Sequence, residues 1–469
     1  MKKFALSIVL LAITTIPALS QEVFTLEKCK ELALKNNAQT KNAEIAVESS
    51  KQQQKEAFTK YFPSISASAN GFVANKPMVK MEMDMSAQMQ PLTNVLTPLI
   101  GWAMMNGAPI DPAALTGLQN QEPAKIEAMK NGIIAGLTAT QPIFAGGQIV
   151  TGNRLAKAGV EVRKLQKQLT ENEVLLTTER YFWQFVSLQE KMKTIENSET
   201  MLAHILSDVK VAVDAGLTTR NDLLRVELEQ NRLAANRSKA ENGMQELKLA
   251  LAQMIGIPAG SFNIEPPAVI AGLARNSPDD EAFPAFAEMT DNVENRPEYK
   301  LLDKNVEIAK MQTQMEIGKN LPTIAVGAGY NYMNFDLHTG NGMKNNFGMV
   351  FVTVSVPITD WWGGSHAVKR KKLEQQAAEN TKKEKAELLL IRMQNIRNQV
   401  NEAYNQALIA KKSIAAAEEN LKISRDNYNA GLVTISDLLE AQNLLQQQQD
   451  AYVSAIAEYY KKAAEWKSV

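Results

Sequence analysis

The chain is poor in the residues that most enzymes and small secreted domains depend on. It has one cysteine, Cys29, and three histidines among 469 residues. One thiol cannot form an internal disulfide, so packing and association must hold the fold. Cys29 lies in a helical pattern, "LEKCKELALKNN", where a small residue on a helix interface is the expected role. The histidines, His204, His338 and His366, are not in a metal-ligand spacing, and the chain has no Gly-rich phosphate loop or nucleophile motif. No catalysis and no cofactor are expected. Net charge is absent too, with 51 basic residues against 51 acidic ones, which removes any bulk argument for nucleic acid.

Proline is missing from Gly147 to Ile257 and again after Ile358, and between Ser365 and Val469 the only glycine is Gly431. Proline costs ~3 kcal/mol and glycine ~1 kcal/mol inside a helix, so these gaps predict very long helices. Leu155, Ala158, Val162, Leu165, Leu169 and Leu176 form an apolar stripe, and Ile195, Leu202, Ile205 and Val209 resume it at heptad spacing. That is a coiled-coil seam.

An uncharged apolar run long enough to span a membrane is missing after the N-terminal segment. The best candidate, 94–110, is broken by proline, glycine and asparagine. Residues 1–20, with two lysines, an apolar run and Ala18-Leu19-Ser20, read as a secretory signal peptide. A membrane β-barrel is still open to such a chain.

What is present is a repeat. "AGLTTRNDLL" at 215–224 and "AGLVTISDLL" at 430–439 lie 215 residues apart, and so do Pro142 and Pro357. The interval implies a duplicated domain. Each copy supplies a glycine suited to end one helix and an aspartate suited to begin the next, which makes it the tip of a helical hairpin. At ~1.5 Å per residue the long arm measures about 100 Å, and the return arm about half that.

Ahead of each long helix the period changes to two. In "TIAVGAGYNY" (323–332), Ile324, Val326, Ala328, Tyr330 and Tyr332 alternate with small or polar residues, as membrane strands do and as soluble edge strands also can. The first repeat, 21–257, is expected to hold strands at about 64–74 and 132–143, a long loop at 75–131, a long helix at about 148–214 and a short helix at about 220–256. A proline-rich linker, 258–297, leads to the second repeat, 298–469. That repeat is expected to hold strands at about 322–333 and 346–357, a long helix at about 365–429 and a short helix at about 434–466. The Gly146–Gly147 and Gly363–Gly364 pairs are expected to turn strand into helix. Four strands cannot close a barrel, so closure must occur between chains; three copies give twelve strands.

The strand–Pro–Gly-Gly–helix junctions and the paired "AGL…DLL" tips resemble those of the TolC-type outer-membrane efflux proteins. The resemblance covers nearly all of the mature chain. It implies a mainly helical fold with a membrane β part, assembled as a homotrimer in a Gram-negative outer membrane. A twelve-stranded β-barrel would continue into a periplasmic helical barrel. It implies a passive exit duct for efflux or type I secretion, not an enzyme, docking to a periplasmic adaptor and an inner-membrane pump of the RND or ABC type. The competing reading is a soluble periplasmic coiled-coil scaffold or adaptor without a channel.

The resemblance also assigns roles. Asp437 and Glu440, three apart on one helix face, match two acidic positions lining the periplasmic entrance; a trimer would stack them into carboxylate rings. Tyr428 and Asp222 match a gate contact, although the arginine expected two residues after the second-tip glycine is Val433 here. Arg220 is a substitute for it, and Arg225 stands opposite Glu440 in the repeat. Gly216, Leu217, Gly431 and Leu432 match the adaptor-docking tips. In the first hairpin, Met78, Met81, Met83, Met85 and Met89 form a thioether cluster of the kind that suits Cu(I), yet no histidine or cysteine accompanies it, and a long external loop is the expected reading.

Overall fold

The computed structural model describes residues 22–83, 86–111, 124–260, 262–267, 292–337, 343–358 and 360–468. Residues 1–21, which include the expected signal peptide, Met85, His338 and most of the linker lie outside these residues. In chain order the elements are β1 (Glu22–Phe24), α1 (Leu26–Asn36), α2 (Ala38–Thr59), β2 (Ser64–Val73), β3 (Val79–Met83), α3 (Ser86–Met105), β4 (Ala124–Ala145), α4 (Gln148–Asp214) and α5 (Arg220–Ile255). There follow β5 (Phe262–Ile264), α6 (Pro297–Lys319), β6 (Thr323–Leu337), β7 (Met343–Ser355), α7 (Asp360–Asn429) and α8 (Ile435–Ser468).

The chain divides into two compact units. One comprises Met1–Gln54, Ala156–Lys310 and Leu373–Val469, and the other Lys55–Leu155 and Met311–Lys372. The first is helical. On α7, Leu389, Met393, Ile396, Val400, Ala403, Ala407, Ala410, Ile414, Ala417 and Leu421 are all buried. They step by four and three throughout, which is a heptad seam. On α4 the buried Ile195, Leu202, Ile205 and Val209 continue the predicted stripe, whereas Leu155, Val162, Leu165, Leu169 and Leu176 remain half-buried. Trp183 stacks on Tyr460 at 4.2 Å, and Trp466, Phe182 and Ile456 are almost wholly enclosed. Cys29 is fully buried in the same core, and burial pushes its thiol up to about 12.

The linker begins with a structural element. β5 pairs in parallel with β1, bringing Phe24 onto Phe262 at 5.2 Å. Asn36 and Asn37 donate their side-chain amides to the Ile255 and Met254 carbonyls, each at 3.1 Å, which ties α1 to the end of α5.

The second unit carries an antiparallel sheet in the order β2-β4-β6-β7, with β3 extending along β4. β2 and β7 are its edges. In its described residues the long connection between β2 and β4 holds β3 and α3, a helix with Pro91 and Pro98 inside it. The two glycine pairs also differ. Gly146 and Gly147 have φ of 58° and 76° and form a left-handed turn before α4. Gly363 and Gly364 instead lie inside α7. A side chain at Gly364 would run into Asn320, so glycine there answers a close approach rather than a turn.

Candidate functional site

Two places in the structure collect the predicted functional residues: the hairpin tips of the helical unit and the two faces of the sheet.

At the first tip, α4 ends in a Schellman turn. Gly216, at φ 72°, donates its N–H to Val213 O at 2.9 Å, and Leu217 donates to Ala212 O at 2.8 Å. The second tip repeats this, with Gly431 at φ 71° donating to Tyr428 O and Leu432 to Asn427 O, both at 2.9 Å. The residue after each glycine stands out in solvent, Leu217 at 82 % exposure and Leu432 at 74 %.

The next helix then starts on a capping box. Thr219 accepts from the Asp222 N–H at 3.3 Å, while Asp222 accepts from the Thr219 N–H at 3.1 Å and from the Thr218 and Thr219 hydroxyls at 2.7 Å. Thr434 and Asp437 do the same on α8: Asp437 Oδ2 accepts the Thr434 N–H at 2.8 Å and its hydroxyl at 2.7 Å. The threonine hydroxyls hold both carboxyls below the usual range, with backbone N–H groups adding to the effect.

Asp437 and Glu440 are exposed on one face of α8, one turn apart. They line an open cleft with Arg225, Ser436 and Asn443. Arg225 donates to the Ser436 hydroxyl, and one heptad on, Arg232 donates to Asn443 and to Glu229. These rungs join α5 to α8. Sequence reasoning missed them, although the shared seven-residue step from 225 to 232 and from 436 to 443 was a usable signal.

Tyr428 is half-buried, and burial raises its phenol, with Asp222 and Asp208 adding to the shift. Asp222 itself is engaged by Thr218 and Thr219. Arg220 begins α5 beside this tip.

On the sheet, register sorts the side chains. Ile65 opposes Ala139, Ala67 opposes Leu137, Leu137 opposes Tyr330, and Val326 opposes Val352. This face is apolar and uncovered: Ile65 is 76 % exposed, Val350 83 % and Val352 65 %. The other face carries Ser66, Ser68 and Asn70 on β2, then Thr138 and Thr140 on β4 and Asn331 on β6. Phe351 fills the space over Gly327 there. Among the described residues of this unit, Phe335 is the one buried hydrophobic.

Met78 and Met81 are exposed, at 65 % and 55 %, and Met83 ends β3. Among the described residues no three His, Cys, Asp or Glu side chains converge on a metal position, and no helix is long and apolar enough to cross a membrane.

An antiparallel sheet with one uncovered apolar face, joined to long paired helical hairpins, is the fold of outer-membrane channels. Three solved structures match it over 94 % of this chain. The Vibrio cholerae outer membrane protein VceC is 13 % identical, with 94 % of its own chain covered and a TM-score of 0.68. The Campylobacter jejuni CmeC outer membrane channel is 16 % identical, with 84 % covered and a TM-score of 0.66. The Neisseria gonorrhoeae MtrE outer membrane channel, in its open state, is 15 % identical, with 88 % covered and a TM-score of 0.70. No curated protein sequence matches the chain. Residues 292–465 match the family model of the outer membrane efflux proteins.

Proposed function

We propose that this protein is a passive outer-membrane exit duct for efflux that closes as a homotrimer and docks through its hairpin tips to a periplasmic adaptor and an inner-membrane pump. The observation that carries the reading is the sheet. Its edge strands β2 and β7 have no partner beyond them among the described residues, and its apolar face is uncovered. Unpaired strand edges cannot face lipid, so copies must join edge to edge, and three copies give a barrel of twelve strands. Ile65, Val350 and Val352 then face lipid, and the serine, threonine and asparagine face lines the lumen.

At the hairpin tips of the helical unit, Gly216, Leu217, Gly431 and Leu432 offer the adaptor exposed backbone and one large apolar side chain per tip. Asp437 and Glu440 supply the carboxylate rings at the entrance. Within one chain, Thr434 holds the Asp437 carboxyl below the usual carboxylate range. Tyr428 and Asp222 form the closed-state contact, in which the phenol exchanges a weak bond for water on opening. Drugs, metal ions and larger cargoes are all compatible with a polar lumen of this kind.

The test is single-channel conductance of detergent-extracted protein in a planar bilayer, with wild type compared against Asp437→Ala/Glu440→Ala. Expected are small cation-selective openings that divalent or trivalent cations block, and loss of the block in the variant. Conductance with block unchanged discards the rings and keeps the duct. A protein that stays soluble without detergent and never conducts discards the duct.

A further inference from the structure

We propose that the junction between the strands and the long helices is a collar that binds acidic phospholipid, in which Arg154 and Lys369 hold lipid phosphate behind an aromatic rim. The inference rests on the sheet spanning the membrane and adds a lipid class at one end of it.

Register gathers the strand ends. Ser64 pairs with Thr140, Ala145 with Thr323, and Thr323 with Ser355, so the chain enters and leaves the sheet at a single end. Large side chains stand uncovered there: Phe62 at 55 %, Ile358 at 79 % and Trp362 at 87 % exposure, with Tyr61 beside them. Tyrosine and tryptophan pair an apolar ring with a polar edge, and such residues settle at the boundary between hydrocarbon and headgroups.

Positive charge follows at a fixed step. Lys369 comes seven residues after Trp362 on α7, which places it on the same helix face about 10 Å further from the sheet. Side chains on a helix lean toward its N-terminus, so the long Lys369 side chain reaches back toward Trp362. Lys369, Arg370 and Lys372 are exposed in one run. In the first repeat Arg154 on α4 is the counterpart of Lys369 at the 215-residue interval and is exposed too, with Gly147 where the second repeat has Trp362. Across residues 55–63, 144–155, 311–322 and 356–372, eight lysines and arginines are set against three carboxylates, and one of these, Glu316, is bridged to Lys319 at 2.8 Å. That excess selects an acidic headgroup over a zwitterionic one, whose amine would find few partners here.

The test uses the full chain, delipidated in mild detergent and titrated with phosphatidylglycerol, phosphatidylcholine or inorganic phosphate. Retained lipid is read by native mass spectrometry, and the thermal midpoint is followed in parallel. Wild type should retain phosphatidylglycerol about tenfold over phosphatidylcholine. Arg154→Gln/Lys369→Gln should bring the two lipids close to parity while still inserting and conducting, and Lys369→Gln alone should give an intermediate ratio if the double variant folds poorly. Equal retention on wild type, an unchanged preference in both variants, or a midpoint raised equally by inorganic phosphate overturns the proposal. A chain that binds no lipid and needs no detergent would instead overturn the membrane reading beneath it.

Discussion

Asp222 and Asp437, 215 residues apart, make the same bond: each accepts from the threonine three positions before it and so closes the capping box that starts a return helix. The family resemblance read from the sequence would give one of them to a gate and the other to a constriction. The structure gives both a shared first task, so any role in the channel is added to a cap that each tip already needs.

This pairing fixes the sign of a pH dependence. Both carboxyls lie below their usual range in the folded chain. Their stabilisation is therefore fully present above the unfolded value, near 4, and is lost as pH falls through the folded value. Thr219→Ala should cost ~1 kcal/mol at neutral pH by removing the capping hydroxyl. In denaturant titrations at pH 7 and pH 3, the gap between wild type and variant should narrow at the lower pH. A gap of the same size at both would contradict the assignment.

Gly146 is held in a left-handed turn at φ 58°, and a Cβ there would collide with the Gly318 carbonyl. Gly146→Ala should cost about 2 kcal/mol or more. Gly147→Ala, at φ 76° in open space, should carry only the conformational part, about 1–2 kcal/mol. Thermal midpoints of the two variants should fall in that order, and the reverse order would rule out the collision.

Cys29 should be silent to thiol reagents. With its thiol pushed up to about 12 and no exposure, it carries almost no thiolate at pH 8. Labelling should appear only across the denaturant range in which the helical core opens. Stoichiometric labelling of native protein within minutes would show that this core is looser than described.

Asp450 has the opposite sign from the caps. Burial raises its carboxyl, and a hydrogen bond from Thr194 at 2.9 Å and the Lys191 charge only partly offset this. An acid raised on folding favours the folded state at low pH, and that contribution is lost as pH rises from the unfolded value to the folded one. Asp450→Asn keeps an acceptor for Thr194 and removes the charge. It should raise the midpoint at pH 7, with the advantage vanishing below pH ~4. A lower midpoint at pH 7 would mean that the charge has a partner that matters more.

Much of the helical unit was legible in advance. A stretch such as 148–214, without proline, leaves the backbone one economical conformation, and the glycines at 216 and 431 end their helices because they alone take a positive φ without strain. The candidate site was legible only in part. Asp437 and Glu440 share a helix face by spacing alone. The Arg225–Ser436 and Arg232–Asn443 rungs depend instead on which two helices become neighbours, which their shared seven-residue step allows but does not fix.

The sequence by itself determined the long helices, the strand faces and the capped tips, because each follows from the conformational preferences of residues a few positions apart. Tertiary structure decided the rest. The Gly-Gly pairs follow the strands of both repeats, two positions out of register at 217 residues apart, and one is a left-handed turn against Gly318 while the other lies inside a helix against Asn320. In the same way, Phe262 pairs the linker with the first strand. Contacts between residues far apart in the chain selected among conformations that local propensity had left nearly equal.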